Sequence, residues 1–321
     1  MKRFALVTIL IIGGAFLAQQ TLALTISPVK FELGAYPGQV VRTELLLRNE
    51  EKETKTFYSS FANFRAKEET GKPKFIEEKA GLASWFEITP QVVLEPGEQK
   101  TIPFSIRIPQ DAEPGGHFAA IFWGTSPPAE EGTSQLTVGA KLGMLVLLRV
   151  EGEIKEEGKL LEFGTKDQKR FFSHLPLNLT FRFENSGNVQ LKPKGEIEIK
   201  NIFGRTLTVL PANKAEGSVL PQSIRKFEVE YNPKGTKITE KGGFFEELKR
   251  EKTNFAFGRY TANLNLEYGI AKEKAQASFS FFVIPWRILT LAILVLVGIF
   301  LLLTKGVKKY NQWIIAKAKG K

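Results

Sequence analysis

Leu177-Asn178-Leu179-Thr180-Phe181-Arg182-Phe183-Glu184-Asn185-Ser186-Gly187-Asn188 is the stretch that decides the fold. In an extended chain successive side chains point to opposite faces, so Leu177, Leu179, Phe181 and Phe183 form one apolar side and Asn178, Thr180, Arg182 and Glu184 a polar one. The Asn-Ser-Gly-Asn that follows is turn chemistry. The pattern recurs on both sides. Ile102, Phe104, Ile106 and Ile108 alternate with Thr101, Pro103, Ser105 and Arg107, and Tyr260, Ala262, Leu264, Leu266 and Tyr268 alternate with Thr261, Asn263, Asn265 and Glu267. Pro37-Gly38, Pro96-Gly97, Pro114-Gly115-Gly116 and Gly204 punctuate the strands. Period-two strands with almost no helical pattern predict an all-β chain of antiparallel, immunoglobulin-like β-sandwiches.

A weak internal repeat makes that two sandwiches. Leu45-x-Leu47-x-Asn49 matches Phe181-x-Phe183-x-Asn185. Val93-Leu94-Glu95-Pro96, leading to Phe104-x-Ile106, parallels Val219-Leu220-Pro221, leading to Phe227-x-Val229. Gly116-His117-Phe118-x-Ala120 parallels Gly258-Arg259-Tyr260-x-Ala262. The order agrees while the spacing varies, as changes in loop length produce. The copies are residues 24–152 and 153–284, parting near Glu151–Glu157. Two polar stretches interrupt them. Arg65 to Gly81 is a charged excursion, and Asn232 to Phe257 is a long connection in which Phe244 to Glu251 has the length for one or two helical turns. Solvated insertions are the common explanation for both.

Two apolar segments frame these domains. Lys2-Arg3, the run from Phe4 to Ala18 and Thr21-Leu22-Ala23 have the build of a secretory signal, residues 1–23, with cleavage after Ala23. Ile288 to Thr304 is an uncharged run that reaches about 25 Å as a helix, near the short limit for a bilayer crossing. Trp286 and Arg287 before it, and Lys305, Lys308 and Lys309 after it, suit the two interfaces and define a transmembrane helix over 285–304. The lysine-rich tail, residues 305–321, marks the cytoplasmic side and leaves the sandwiches outside. The net charge of +11 is concentrated at these ends, with only +2 left for residues 24–286. The basicity therefore records membrane topology and not a nucleic-acid partner.

The residue inventory leans against catalysis. The chain has no cysteine, two histidines (His117 and His174) and two aspartates (Asp111 and Asp167), so no metal site, cofactor or nucleophile–base pair is indicated. His117 lacks a neighbouring ligand and is expected to make one hydrogen bond at a turn. Trp85-Phe86 has the composition of a sugar-stacking pair, although a core role is commoner for such aromatics. Phe118, Ala120 and Phe122 form one face of their strand and Ala119, Ile121 and Trp123 the other, and Met144 to Leu148 is also apolar on both faces. Such strands need a second cover beyond the core. A neighbouring domain, the Ser126–Ser134 loop or another protein would supply it, and Ile121 and Trp123 are the anchors expected if a partner docks.

The first domain resembles the peptidoglycan-binding domain of the WxL-interacting protein family of bacterial surfaces. The likeness is carried by Ile26-Ser27-Pro28-x-Lys30-Phe31-Glu32-Leu33, Tyr36-Pro37-Gly38-Gln39, Asn49, the strand from Ile102 to Pro109, the segment from Pro114 to Phe122, and the segment from Leu142 to Val150. It implies a membrane-anchored surface protein that contacts cell-wall glycan and holds other surface proteins. The second domain reads as a general immunoglobulin-like module. From the residues themselves two further readings stand beside that one. One is a chaperone-like assembly factor lending a sheet edge near Gln39–Asn49 or Leu136–Val150 to surface subunits. The other is an accessory subunit of a membrane complex, with Gly298 permitting close helix approach.

Overall fold

The computed structural model describes residues 24–76, 80–127, 141–236 and 242–320. The expected signal segment with Ala23, and most of the Ser126–Ser134 loop, lie outside these residues. The chain forms two compact units, Met1–Arg65 with Pro73–Lys155, and Ala66–Lys72 with Glu156–Lys321.

The first unit contains β1 (Leu24–Ser27), β2 (Lys30–Ala35), β3 (Val40–Asn49), β4 (Lys55–Lys67), β5 (Lys72–Ile76), β6 (Phe86–Ile88), β7 (Gln91–Leu94), β8 (Gln99–Arg107), β9 (Gly115–Gly124) and β10 (Lys141–Val150). One sheet has the order β1-β3-β8-β6 and the other β2-β10-β9-β4-β5, with β7 also on β4. Their facing side chains, among them Leu45, Leu47, Ile106, Ile121, Trp123, Met144 and Leu148, form one core.

The second unit contains β11 (Gly158–Thr165), β12 (Phe171–Phe172), β13 (Leu177–Asn185), β14 (Lys194–Asn201), β15 (Thr206–Pro211), β16 (Ser223–Tyr231), α1 (Phe244–Thr253), β17 (Gly258–Tyr268), β18 (Glu273–Val283) and α2 (Trp286–Lys319). Its sheets run β11-β13-β16 and β12-β18-β17-β14-β15 around a core that includes Leu179, Phe181, Phe183, Ile197, Leu264 and Phe281.

The two strand orders superpose term for term, with β6 and β7 as extras of the first unit. The buried Asn that ends β3 and its counterpart in β13 do the same work. Asn49 Nδ2 donates to the carbonyls of Glu53, Leu94 and Glu95 at 2.9, 3.0 and 3.1 Å, and its Oδ1 accepts the Glu51 N–H at 3.0 Å. Asn185 Nδ2 donates to Val189 O at 2.7 Å and Val219 O at 2.8 Å, and its Oδ1 accepts the Gly187 N–H at 3.0 Å. These bonds equate Leu94 with Val219, one residue from the sequence alignment. The same one-residue correction applies at the next strand pair, where Gly115 faces Val150 and Gly258 faces Val283.

Pairing is not wholly antiparallel. β2 runs parallel to β10, and β12 runs parallel to β18. In each unit the first strand begins in one sheet and then crosses to the edge of the other, beside the unit's last strand. An antiparallel reading of consecutive strands has no place for that crossing.

The helix α2 has 34 residues and extends about 50 Å at the ordinary helical rise, beyond the expected 285–304 and through most of the basic tail. Trp286–Ile315 is apolar and long enough to cross a membrane, and none of its most apolar stretch is buried. The charged excursion after Arg65 is not a plain insertion. It continues β4 and returns as β5, carrying Phe75 back over the outer face of β9.

Candidate functional site

Of the two doubly apolar strands, β9 is covered from within. Phe75 packs its ring edge on Phe122 at 4.9 Å between centroids, and Phe64 of β4 lies 5.9 Å from Phe118. Ile121 and Trp123 point the other way and are fully buried in the core. They have no surface through which to anchor a partner, so that expected role is corrected. The Trp85-Phe86 pair is likewise divided. Phe86 is buried, packed near Phe61 and Phe104, while half-buried Trp85 sits against His117 with ring centroids 4.8 Å apart. His117 Nε2 is hydrogen-bonded to Glu113 O at 2.8 Å, the single turn bond expected of it. Trp85 and His117 are thus brought together, on each other's rings. Among the described residues no group of three His, Cys, Asp or Glu is placed to hold a metal ion.

What the strands leave uncovered is more informative. In the first unit β1 pairs only with Leu46–Asn49 of β3, and β2 only with Leu145–Val150 of β10. Among the described residues no strand covers the same edge of Val40–Leu45 or of Lys141–Met144. In the second unit the first strand crosses late. β11 covers β13 from Leu179 to Asn185, and β12 covers only Phe282 and Val283 of β18. The edge of β18 from Glu273 to Phe281 therefore has no strand hydrogen-bonded to it among the described residues, although β11 passes near it, with Gly164 against the Phe279 ring and the Arg170 guanidinium 5.7 Å from that ring's centroid.

Hydrogen-bond direction along β18 follows from its register. The Phe282 N–H donates outward to Arg170 O at 2.7 Å, and the Ile284 N–H to Phe172 O at 2.8 Å. Backbone groups alternate sides along an antiparallel strand. Lys274, Gln276, Ser278 and Ser280 thus aim their N–H and C=O at the open edge, while Ala275, Ala277 and Phe279 bond β17. The side chains of Lys274, Gln276 and Ser278 are exposed, and Ala275 and Phe279 pack against the core.

At the other end of β18 the helix α2 begins, and there the expected interface residue Arg287 has a protein partner. Glu251 of α1 is fully buried. Its Oε2 accepts the backbone N–H groups of Arg287 and Ile288, both at 3.0 Å, and its Oε1 accepts Arg287 Nη1 at 2.9 Å. Helix N-termini carry unpaired N–H donors and partial positive charge, and Pro285 at this cap supplies no side-chain bond. Glu251 therefore caps α2 from another element. One turn earlier Glu247 accepts the Gly242 N–H at 3.1 Å and Arg250 Nη1 at 2.5 Å, and bonds His174 Nε2 at 3.2 Å. Burial pushes the Glu247 carboxyl up, but the Gly242 and His174 bonds and the Arg250 charge outweigh it and hold it below the usual carboxylate range. Trp286 is half-exposed with the Arg287 guanidinium 4.5 Å from its ring centroid, and Lys305, Lys308 and Lys309 are exposed farther along α2.

Sequence reasoning missed both features. Glu247 and Glu251 had a signal, two glutamates at i and i+4 within a basic segment. The β18 edge had none, because the crossing point of β11 is set by long-range pairing.

The fold and these features define a class: two immunoglobulin-like sandwiches, the second with a last strand left unpaired along Glu273–Phe281 among the described residues, followed by an exposed apolar helix. No protein-family model and no curated protein matches the chain. Among solved structures it is similar to the class 5 fimbriae chaperone CfaA, at 15% identity over 82% of this chain and 99% of that chain, with a TM-score of 0.38. It is also similar to a chaperone–tip adhesin complex of CFA/I fimbriae biogenesis, at 12% identity, 82% and 99% coverage and a TM-score of 0.37. A third is the Salmonella enterica SafA pilin in complex with the SafB chaperone, at 11% identity, 83% and 99% coverage and a TM-score of 0.35. The fold of this chain rests on its own strand order.

Proposed function

We propose that this is a membrane-anchored, non-enzymatic protein of the bacterial cell surface that holds another surface polypeptide by taking an extended segment of it onto the edge of β18. The single observation that carries the reading is the stretch Glu273–Phe281, whose outer edge no strand pairs with among the described residues. Sheet edges of this length are ordinarily blunted or covered, because their free N–H and C=O groups template a further strand. Strand addition supplies affinity through main-chain hydrogen bonds and leaves specificity to alternate side chains. This joins the strand-lending assembly role to a permanent anchor. The α2 helix holds the two immunoglobulin-like domains outside the membrane, and the lysine tail lies on the cytoplasmic side. A cell-wall glycan reading finds less support, since Trp85 and Phe86 present no free ring pair for a sugar.

The test uses the direction of the backbone groups. Proline is tolerated in an edge strand where its missing N–H faces outward. Gln276→Pro removes an outward donor and is expected to leave the fold intact while blocking strand addition, with Gln276→Ala as the control. A photo-crosslinking phenylalanine at Ser278, in cells making the full chain, should join one discrete surface polypeptide. The adduct should persist in Gln276→Ala and vanish in Gln276→Pro. An adduct indifferent to Gln276→Pro, or none at all, overturns the reading.

A further inference from the structure

Several phenylalanines are exposed around the start of α2. Phe244 and Phe245 open α1 with relative exposures of 51% and 81%, and Phe255 and Phe257 just beyond it are also exposed. Yet α1 is tightly held. Its Glu247 and Glu251 are buried on one side, engaged with His174, Arg250 and Arg287. The opposite side, read at the helical period, gathers Phe245, Lys249 and Lys252, all exposed. Phe244 meets the Trp286 ring edge-on at 6.4 Å, and Phe245 meets Phe244 at 5.6 Å.

We infer that α1 is a membrane-surface foot. It lies against the outer leaflet of the same bilayer that α2 crosses, with Phe244 and Phe245 at the headgroup boundary and Lys249 and Lys252 toward anionic lipid phosphates. The inference rests on the reading of α2 as a membrane span. Chain continuity then fixes the occupant: Trp286 is the first residue of the span, and the aromatic that touches it must lie at about the same depth. Aromatic rings and lysine stems are the side chains that bilayer interfaces accommodate. The carboxylate of Glu251 ties the foot to the first turn of the span, so α1 and α2 share one orientation relative to the membrane.

The natural chain has no cysteine, so single substitutions can be labelled uniquely. Full-length Phe245→Cys, Leu296→Cys and Ser278→Cys, each carrying an environment-sensitive fluorophore, would be placed in vesicles of phosphatidylcholine with phosphatidylglycerol. Lipids with a quencher at shallow or deep positions then report depth. The probe at Phe245 should lose most of its fluorescence to the shallow quencher, the probe at Leu296 to the deep one, and the probe at Ser278 to neither. Quenching at Leu296 with none at Phe245 overturns the foot and leaves the span standing. No quenching at Leu296 removes the span, and the foot falls with it. In phosphatidylcholine alone, Phe245 should still be quenched but less, as the lysines lose their anionic partners.

Discussion

The two sandwiches share one strand order and one buried asparagine, yet they differ in where the first strand changes sheets. In the first unit it crosses after four residues, at Ser27, and β2 then seals β10 from Leu145 to Val150. In the second it stays with β13 for eight residues and reaches β18 only at Phe171–Phe172. The core does not register the difference, because both arrangements bury the same inward faces. The sheet edges do. Within one topology, the position of a single crossing decides which main-chain groups the described strands leave unpaired.

The largest test of this equivalence is the asparagine. Asn49→Ala and Asn185→Ala each remove several side-chain-to-backbone bonds at once, and although Glu95 O keeps the Glu98 N–H and Val219 O the Leu191 N–H, each should cost about 3 kcal/mol in its own unit. Urea unfolding followed by probes specific to each unit would show it. A neutral Asn185→Ala would break the equivalence. A smaller effect is expected at Gly115 and Gly258, which start β9 and β17 with φ of 132° and 114°. Alanine at either should cost about 1–3 kcal/mol through backbone strain, similarly in both units, by the same measurement. Unequal costs would show that the shared register ends at those strands.

Acid should separate the units further. Glu247 is held below the usual carboxylate range in the folded chain. A lowered folded value means that its contribution to stability is present above the ordinary Glu value of about 4.3 and is lost as pH falls through the folded one. Glu247→Gln should therefore flatten the acid limb of the second unit's stability profile and leave the first unit's unchanged. An unchanged acid limb would show that the bonds to His174, Arg250 and Gly242 do not stabilise the ionised form.

Much of this architecture is legible in the amino-acid sequence. Alternation marks β8, β13 and β17 because each has one polar face, and the repeat survives as Asn49 and Asn185 because a buried side chain that bridges three or four backbone groups has no substitute of similar shape. Alternation fails at β9. With apolar residues on both sides, period two cannot say which side is the core, and an outward reading of Ile121 and Trp123 fails because Phe64 and Phe75 cover the opposite face. Arg287 illustrates a second limit. An arginine beside an apolar run reads as an interface residue, and its carboxylate partner lies 36 residues upstream on another helix. The crossing point of the first strand is the third limit, since Leu24 to Ala35 and Gly158 to Phe172 give no local sign of which neighbour they will pair with.

Amide hydrogen exchange along β10 and β18 of the purified full-length chain tests the central claim most directly. Leu145, whose N–H donates to Val29 O at 3.0 Å, and the other outward amides of Leu145–Val150 should be protected by β2. In β18 protection should alternate, slow at Ala275, Ala277 and Phe279 and fast at Gln276, Ser278 and Ser280. Slow exchange at every amide from Glu273 to Phe281 would mean that the edge is already covered, and would contradict the account.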